Sequence, residues 1–186
     1  MERTRSDVGF VLSGVPYHMQ ERNNWCGPAV VEQILDWDGS DVSQTRLADD
    51  MNTSSDGTGI EIMVGELNRR RPNTVGGPWV SVQPSSQRDF FDYLRYDQEH
   101  LFAGIFYVRL HTDWFPYLRY NHGNHYQTSA GYEQKGIKHW GGLVDPYQES
   151  YYRTGGNNTG GLHKIRVWRL WEATKGRTTG PPTIVF

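Results

Sequence analysis

The spacing of hydrophobic residues changes along the chain, from a helical period to a strand period. Up to His100, most apolar residues recur at intervals of three and four positions, as on one face of a helix. The first of these helices is predicted to begin near Cys26, with Ile34 and Leu35 on its apolar face. Gly39 lies just past its end, where glycine commonly stops a helix. The first half of the chain is therefore predicted to be mainly helical.

Residues that cap helix starts mark three further helices in this half. Ser43 precedes one short apolar pattern and Ser86 precedes another, and serine is a preferred N-cap residue. Thr58 followed by Glu61 has the spacing of a capping box, and Pro72 lies beyond the end of that pattern. These signals predict helices starting after Ser43, Thr58 and Ser86.

The second half of the chain has the composition of strands. Three segments are rich in β-branched and aromatic residues and are predicted to be strands: Leu101–Leu110, His125–Gln134 and His139–Tyr147. Lys135 and Gly136 form the predicted turn between the last two. The segment 163–174 could be helix or strand, because its period fits neither cleanly. Helices followed by strands predict an α+β fold.

Length and composition indicate one globular domain. A chain of 186 residues with 36% hydrophobic residues can bury an ordinary core. We assign residues 1–16 to an N-terminal extension and residues 17–186 to the domain. Residues 1–16 also lack the long apolar run of a signal peptide. The net charge of −2 gives no reason to expect nucleic acid as a partner, and no apolar run is long enough for a transmembrane segment.

The single cysteine is the first candidate for chemistry. Cys26 lies in QERNNWCGPAVVEQIL, where Pro28 favours the start of a helix. A lone cysteine is more often a small buried hydrophobic residue than a nucleophile. A helix N-terminus, however, favours the thiolate, the reactive form of the side chain, and a structural cysteine gains nothing from that position. The placement therefore favours a nucleophile.

A cysteine nucleophile needs a base, and the base needs a group that orients it. His125 opens one predicted strand and Asp145 ends the next, so adjacent antiparallel strands would bring them to the same end of the sheet. Gln20 precedes the helix and could donate a hydrogen bond to an oxyanion. His122 and His125 could instead ligate zinc, but no acidic or cysteine partners follow at metal spacing. This chemistry needs no metal or organic cofactor.

These motifs resemble those of the papain-like cysteine peptidases. A glutamine, a short spacer and Trp-Cys-Gly-Pro-Ala are followed by an Asn-His-Tyr strand and an Asp-Pro strand end. The combination is most similar to the bacteriocin-processing peptidases (peptidase family C-thirty-nine) and their single-domain relatives. The resemblance implies a papain-like fold, with a helical lobe packed on an antiparallel sheet. It also implies that Cys26 is the nucleophile, His125 the general base and acid, Asp145 the orienting acid and Gln20 the oxyanion donor.

The resemblance also has departures and leaves the substrate class broad. Asn124 precedes the histidine where the family often has glycine, and the chain has neither the membrane helices nor the ATPase motif of the transporter-fused members. We expect a peptide or protein substrate. Trp25, Asn124, Tyr126 and Trp140 are the candidates for contacting it.

Two other functions fit the same residues. An acyltransferase, deamidase or toxin would use the same thiol but transfer the acyl group to an acceptor other than water. A non-catalytic module that binds peptides or glycans through its aromatic loops would not depend on Cys26. Both remain alternatives at the level of sequence.

Overall fold

The computed structural model describes residues 8–11, 14–71, 78–100, 102–178 and 180–186. Its helices lie mainly in the first half of the chain, as the sequence predicts, with a short one and a longer one near the end. They are α1 (Cys26–Trp37), α2 (Gln44–Asp50), α3 (Ile60–Arg70), α4 (Gln87–Glu99), α5 (Glu149–Tyr152) and α6 (Val167–Lys175). None of the helices in these ranges is both long and apolar enough to cross a lipid bilayer.

The helix starts predicted near Cys26, after Ser43 and after Ser86 are confirmed, and the capping box at Thr58 is wrong. The Ser43 side chain accepts a hydrogen bond from the backbone N–H of Arg46, and the Ser86 side chain caps α4 in the same way. Helix α3 instead begins after Gly59, with no side-chain cap. The hydroxyl of Thr58 lies 2.8 Å from that of Thr53, so it bonds to the preceding loop rather than to the helix.

The strands form one antiparallel sheet in which the longest strand is central. They are β1 (Val8–Val11), β2 (Ser81–Val82), β3 (Ile105–Arg109), β4 (Asn124–Lys135), β5 (Lys138–Asp145), β6 (Gly161–Arg166) and β7 (Thr183–Val185). The order is β2-β7-β3-β4-β5-β6, and β1 also pairs with β4. One edge of β4 is shared, since β3 pairs with its first half and β1 with its second half.

Three segments differ from their sequence assignments. Strand β3 covers only the second part of the predicted strand 101–110. The ambiguous segment 163–174 is first strand and then helix, because β6 ends at Arg166 and α6 begins at Val167. Strand β1 lies within residues 1–16, so part of the assigned extension belongs to the sheet.

The sheet separates two hydrophobic cores. Successive side chains of a strand point to opposite faces, and neighbouring residues Ile105 and Phe106 accordingly belong to different clusters. On one face the sheet packs against α4 and α6, with Phe90 and Leu170 buried between them. On the other face it packs against α1, α2 and α3. The end of the sheet that faces the start of α1 is where the predicted chemistry lies.

A buried carboxyl group lies between α4 and the sheet, away from that end. Asp97 is 2% exposed and accepts a hydrogen bond from the Ser129 hydroxyl at 3.2 Å. Its other oxygen has no hydrogen-bond partner among the described residues. Burial raises the pKa of Asp97 well above its ordinary value, and the hydrogen bonds from Ser129 and Gln98 offset this only in part.

We expect Asp97→Asn to stabilise the protein at alkaline pH. Because the carboxyl pKa is raised in the folded state, its stabilising contribution is complete below the unfolded pKa and is lost as pH rises through the folded pKa. At pH 8 the variant should gain about 1–3 kcal/mol in unfolding free energy, the usual cost of a buried polar group without a partner. Urea unfolding at pH 5 and pH 8 measures the difference in unfolding free energy between the variant and the parent. Asp92→Asn, at a half-exposed position of the same helix, is the control, and a gain independent of pH would contradict the prediction.

Candidate active site

Helix α1 begins at the cysteine and fixes its position. Cys26 is the first helical residue and is partly exposed, so the thiol is accessible to a substrate. Gly27 follows it in close contact with the loop before α3. A β-carbon at Gly27 would lie 2.8 Å from the β-carbon of Thr58, closer than atoms of this kind approach. The glycine therefore allows the start of the helix to pack against Thr58.

The strand pair β4–β5 brings a histidine and an aspartate into contact. His125 lies at the start of β4 and Asp145 at the end of β5, and in the antiparallel register Thr128 pairs with Val144. His125 Nε2 donates a hydrogen bond of 2.8 Å to Asp145 Oδ1. Both side chains are buried, at 5% and 0% exposure. The other ring nitrogen, Nδ1, is left for Cys26.

Asp145 is held as an anion by further hydrogen bonds. Within the described chain, its Oδ1 also accepts the Tyr147 backbone N–H at 2.8 Å. Its Oδ2 accepts the Tyr117 hydroxyl at 2.8 Å and Gln127 Nε2 at 2.7 Å. Burial alone would raise the pKa of Asp145, but the charge of His125 and these hydrogen bonds lower it below the ordinary value.

The aspartate in turn favours the protonated imidazole. Burial by itself lowers the pKa of His125, but the negative charge of Asp145, its hydrogen bond and the hydrogen bond to the Cys26 sulfur raise it to about 10. An imidazolium beside a thiol stabilises the thiolate. The arrangement can therefore supply a nucleophile and a proton donor at neutral pH.

Gln20 is fixed beside this pair through its backbone and its side chain. Its backbone N–H donates to the Pro146 carbonyl at 3.0 Å, which joins the segment before α1 to the end of β5. The side-chain Nε2 donates to the carbonyls of Arg22 and Asn23, each at 3.0 Å. The amide nitrogen that the sequence suggests as an oxyanion donor is thus bonded to the loop that leads into Cys26.

The four candidate substrate contacts occupy different places. Trp25 is 6% exposed, with the Arg22 guanidinium 4.4 Å from its ring. Tyr126 is also buried, and its hydroxyl donates to the Thr58 carbonyl at 3.0 Å. Both therefore support the site more than they line it. Asn124 is partly exposed next to His125.

Trp140 is not brought to this site. It lies five residues before Asp145 on β5, about 16 Å away along an extended strand. Its ring packs under the cations of Lys164 and Arg166, at 4.9 and 4.6 Å. Trp140 and Asp145 lie in the same predicted strand, so this separation could have been inferred from the sequence.

His122 takes part in a second carboxylate–imidazole pair rather than sharing partners with His125. Its Nε2 lies 3.1 Å from the buried Glu149, and its Nδ1 lies 3.3 Å from the Tyr147 hydroxyl. Among the residues with assigned positions, no group of three or more His, Cys, Asp or Glu side chains is placed to hold a metal ion. The two histidines of HGNH thus have separate hydrogen-bond partners.

Two residues around Asp145 were missed by the sequence reasoning. Gln127 lies two positions after His125, so strand alternation places it on the same face, and this signal was available. Tyr117 comes from the segment between β3 and β4, 28 positions before Asp145 in the chain. Nothing in the sequence around Tyr117 indicates that contact.

The helical lobe, the antiparallel sheet and the positions of the cysteine and the histidine define the fold of the papain-like cysteine peptidases. The chain belongs to the Peptidase C39 like family, whose model matches residues 12–177. No curated protein matches the chain by sequence.

Solved structures of the same family are similar over nearly the whole chain. The peptidase domain of Streptococcus ComA, a bifunctional ABC transporter of a quorum-sensing pathway, matches with a TM-score of 0.58 and 17% identity, covering 92% of this chain and 96% of its own. A Bacillus anthracis protein described as a C39-like peptidase gives 0.59 and 11%, with 96% of each chain covered.

A third structure contains a bound peptide. It is a double-glycine motif protease from an AMS/PCAT transporter in complex with the leader peptide, with a TM-score of 0.54, 16% identity and 96% of each chain covered. At these identities the similarity establishes the fold, and the chemistry has to be argued from the residues of this chain.

Proposed function

We propose that the protein is a cysteine peptidase in which Cys26, His125 and Asp145 act together. The observation that carries the proposal is the buried hydrogen bond between His125 and Asp145 beside an accessible Cys26 at a helix start. Membership of the Peptidase C39 like family supports the same reading. The substrate class is a peptide or protein, in keeping with the leader peptide bound by one solved relative.

The first half of the reaction forms a thioester. The Cys26 thiolate attacks the peptide carbonyl carbon, a C–S bond forms, and the carbonyl oxygen becomes an oxyanion. The backbone N–H of Cys26, an unpaired donor at the helix start, faces that charge. The His125 imidazolium then gives its proton to the amine as the C–N bond breaks. Asp145 holds the ring in orientation throughout.

The second half releases the acid. Neutral His125 takes a proton from water, the water oxygen attacks the thioester carbon, and the C–S bond breaks to return the thiolate and the imidazolium. Gln20 is the second proposed oxyanion donor. It can donate only by exchanging one of its bonds to the Arg22 or Asn23 carbonyl. This exchange is a specific feature of the proposal for this chain.

Incubation with a pool of peptides, followed by mass spectrometry, tests the function. We expect new peptide ends from the parent protein and a loss of at least about 10³-fold in cleavage rate for Cys26→Ala, in keeping with removal of a nucleophile in other hydrolases. Ser129→Ala is the control, since this hydroxyl is buried beside Asp97. The products without and with an added acceptor amine separate the alternatives. A Cys26-dependent carboxylic acid without acceptor indicates hydrolysis, a Cys26-dependent product that forms only with acceptor indicates acyl transfer, and no Cys26-dependent product at all contradicts both.

A further inference from the structure

A half-buried cation, Arg177, lies near the start of β4, where the backbone N–H of the next residue, Thr178, donates to Asn124 Oδ1. Arg177 follows the end of α6, and its guanidinium is anchored on one side by hydrogen bonds to the Thr174 carbonyl at 3.1 Å and the Thr183 hydroxyl at 3.3 Å. These two bonds use Nε and Nη2. They fix the position of the charge, and the Tyr107 side chain is a further hydrogen-bond partner of the guanidinium.

This cation is connected to the active site through a row of aromatic and polar groups. The guanidinium carbon lies 4.1 Å from the centre of the Tyr107 ring, and that ring stacks on Tyr126 at 4.4 Å. The Tyr107 hydroxyl accepts a hydrogen bond of 3.3 Å from Asn124 Nδ2. Asn124 immediately precedes His125, so the row ends at the start of β4, the strand end that also carries His125.

The same groups lie on the sheet face that carries the nucleophile. Tyr107, Tyr126 and Cys26 all pack against the core between the sheet and α1–α3. The Tyr126 hydroxyl lies close enough to both Cys26 and Arg177 for their charges to act on it. The hydroxyl of Thr178, the residue after Arg177, lies 3.1 Å from Asn124 Nδ2. Arg177 and Cys26 therefore lie close to the same pair of rings, Tyr107 and Tyr126, on this face of the sheet.

Arg177 also lacks a counter-ion. Among the described residues no aspartate or glutamate forms an ion pair with it, whereas Arg69 and Arg70 bind Glu66 and Asp50. Leaving a guanidinium partly out of water without an anion is costly, and burial accordingly lowers the pKa of Arg177 without removing its charge at neutral pH. A carboxylate brought by a ligand would offset that cost, because the guanidinium fork binds carboxylates well.

We infer that Arg177 forms an anion subsite near Cys26, so that the preferred acyl substrate has a carboxylate near the bond to be broken. The substrate preference rests on the proposed function, but binding of an anion at Arg177 does not require catalytic turnover. The carboxylate belongs either to an acidic side chain or to a free C-terminus, which present the same chemistry to Arg177.

The charge of the alkylating reagent tests the subsite. Iodoacetate is an anion and iodoacetamide is its neutral analogue, and both alkylate Cys26. We expect Arg177→Gln to lower the ratio of the iodoacetate rate to the iodoacetamide rate by roughly two- to tenfold, the range for one partly screened unit charge. Arg177→Lys should keep most of the ratio. Arg153→Gln, which removes an exposed cation stacked on Tyr120, should leave it unchanged. An unchanged ratio in Arg177→Gln would overturn the inference.

The measurement separates this inference from the proposed function. At pH 9 even an ordinary exposed thiol alkylates, so the ratio can be measured whether or not Cys26 is activated. The absolute iodoacetamide rate at pH 6 reports on activation by His125, and the ratio reports on Arg177. An unchanged iodoacetamide rate in Arg177→Gln also shows that the variant retains the fold around Cys26.

Affinity labels distinguish the two sources of the carboxylate. Bromoacetyl-glutamate amide is compared with bromoacetyl-glutamine amide, and bromoacetyl-alanine with its amide. The pair whose rate ratio falls in Arg177→Gln identifies an acidic side chain or a chain end, respectively, as the group that is bound. Equal ratios for both pairs in the parent and the variant contradict the subsite.

Discussion

His125→Ala is expected to lower the rate of Cys26 alkylation by iodoacetamide at pH 6 by roughly 30- to 300-fold. An unassisted cysteine side chain, with a pKa of about 8.5, is only ~0.3% thiolate at pH 6. We expect the imidazolium to stabilise a thiolate beside it, because the effects of Asp145 and Cys26 outweigh that of burial and raise the pKa of His125 to about 10. The gain is smaller than the thiolate fraction alone suggests, since a stabilised thiolate is a weaker nucleophile.

The control and the pH range make this prediction specific. His122→Ala removes the other histidine of the same segment, whose contacts are with Glu149 and Tyr147, and should leave the rate at pH 6 within about twofold of the parent. In the parent the rate should change little from pH 6 to pH 9. Equal pH profiles for the parent and His125→Ala would exclude the thiolate–imidazolium pair and favour a non-catalytic binding module.

The interaction of His125 with Asp145 and Cys26 also makes the unfolding free energy depend on pH in a predictable direction. Because the pKa of His125 is raised on folding, its stabilising contribution is complete below the unfolded value of about 6.5 and is lost as pH rises through about 10. The difference in unfolding free energy between the parent and His125→Ala should therefore be largest near pH 6. It should decrease toward pH 10, as measured by urea unfolding in the same samples.

Gly27→Ala is expected to destabilise the protein by about 1–3 kcal/mol, the usual cost of inserting a methyl group into a packed position. The new β-carbon would lie 2.8 Å from the Thr58 side chain and 3.2 Å from the Met63 sulfur. To relieve these close contacts the start of α1 would have to move, and this movement would carry the adjacent Cys26 away from His125. The alkylation rate at pH 6 should therefore fall together with the thermal midpoint.

Gly65→Ala is the matched control for this substitution. Gly65 lies inside α3, and a β-carbon there would meet nothing within 4 Å. Alanine is the better helix former, so the control should gain up to about 1 kcal/mol and keep the parent alkylation rate. If Gly27→Ala behaved like Gly65→Ala in thermal unfolding and alkylation, the packing of the helix start on Thr58 would not be what positions the nucleophile.

Local signals made much of the fold predictable. The serine caps of α2 and α4 involve atoms three residues apart, and the β4–β5 hairpin depends on a short turn, so both can be predicted from neighbouring residues. The capping box failed because Thr58 had a competing partner in Thr53, which the spacing to Glu61 does not reveal. Segment 163–174 was ambiguous because it contains a strand end followed directly by a helix.

The types, the order and the local setting of Cys26, His125 and Asp145 follow from the amino-acid sequence alone. The helix start that carries Cys26 and the strand ends that carry His125 and Asp145 depend on short-range periodicity and turn chemistry. The side chains that surround them are set by the tertiary packing. Tyr117 on Asp145 and Arg177 over Tyr107 come from segments distant in the chain. Such contacts depend on how the sheet, the lobe and the connecting segments pack, and no local pattern carries that information.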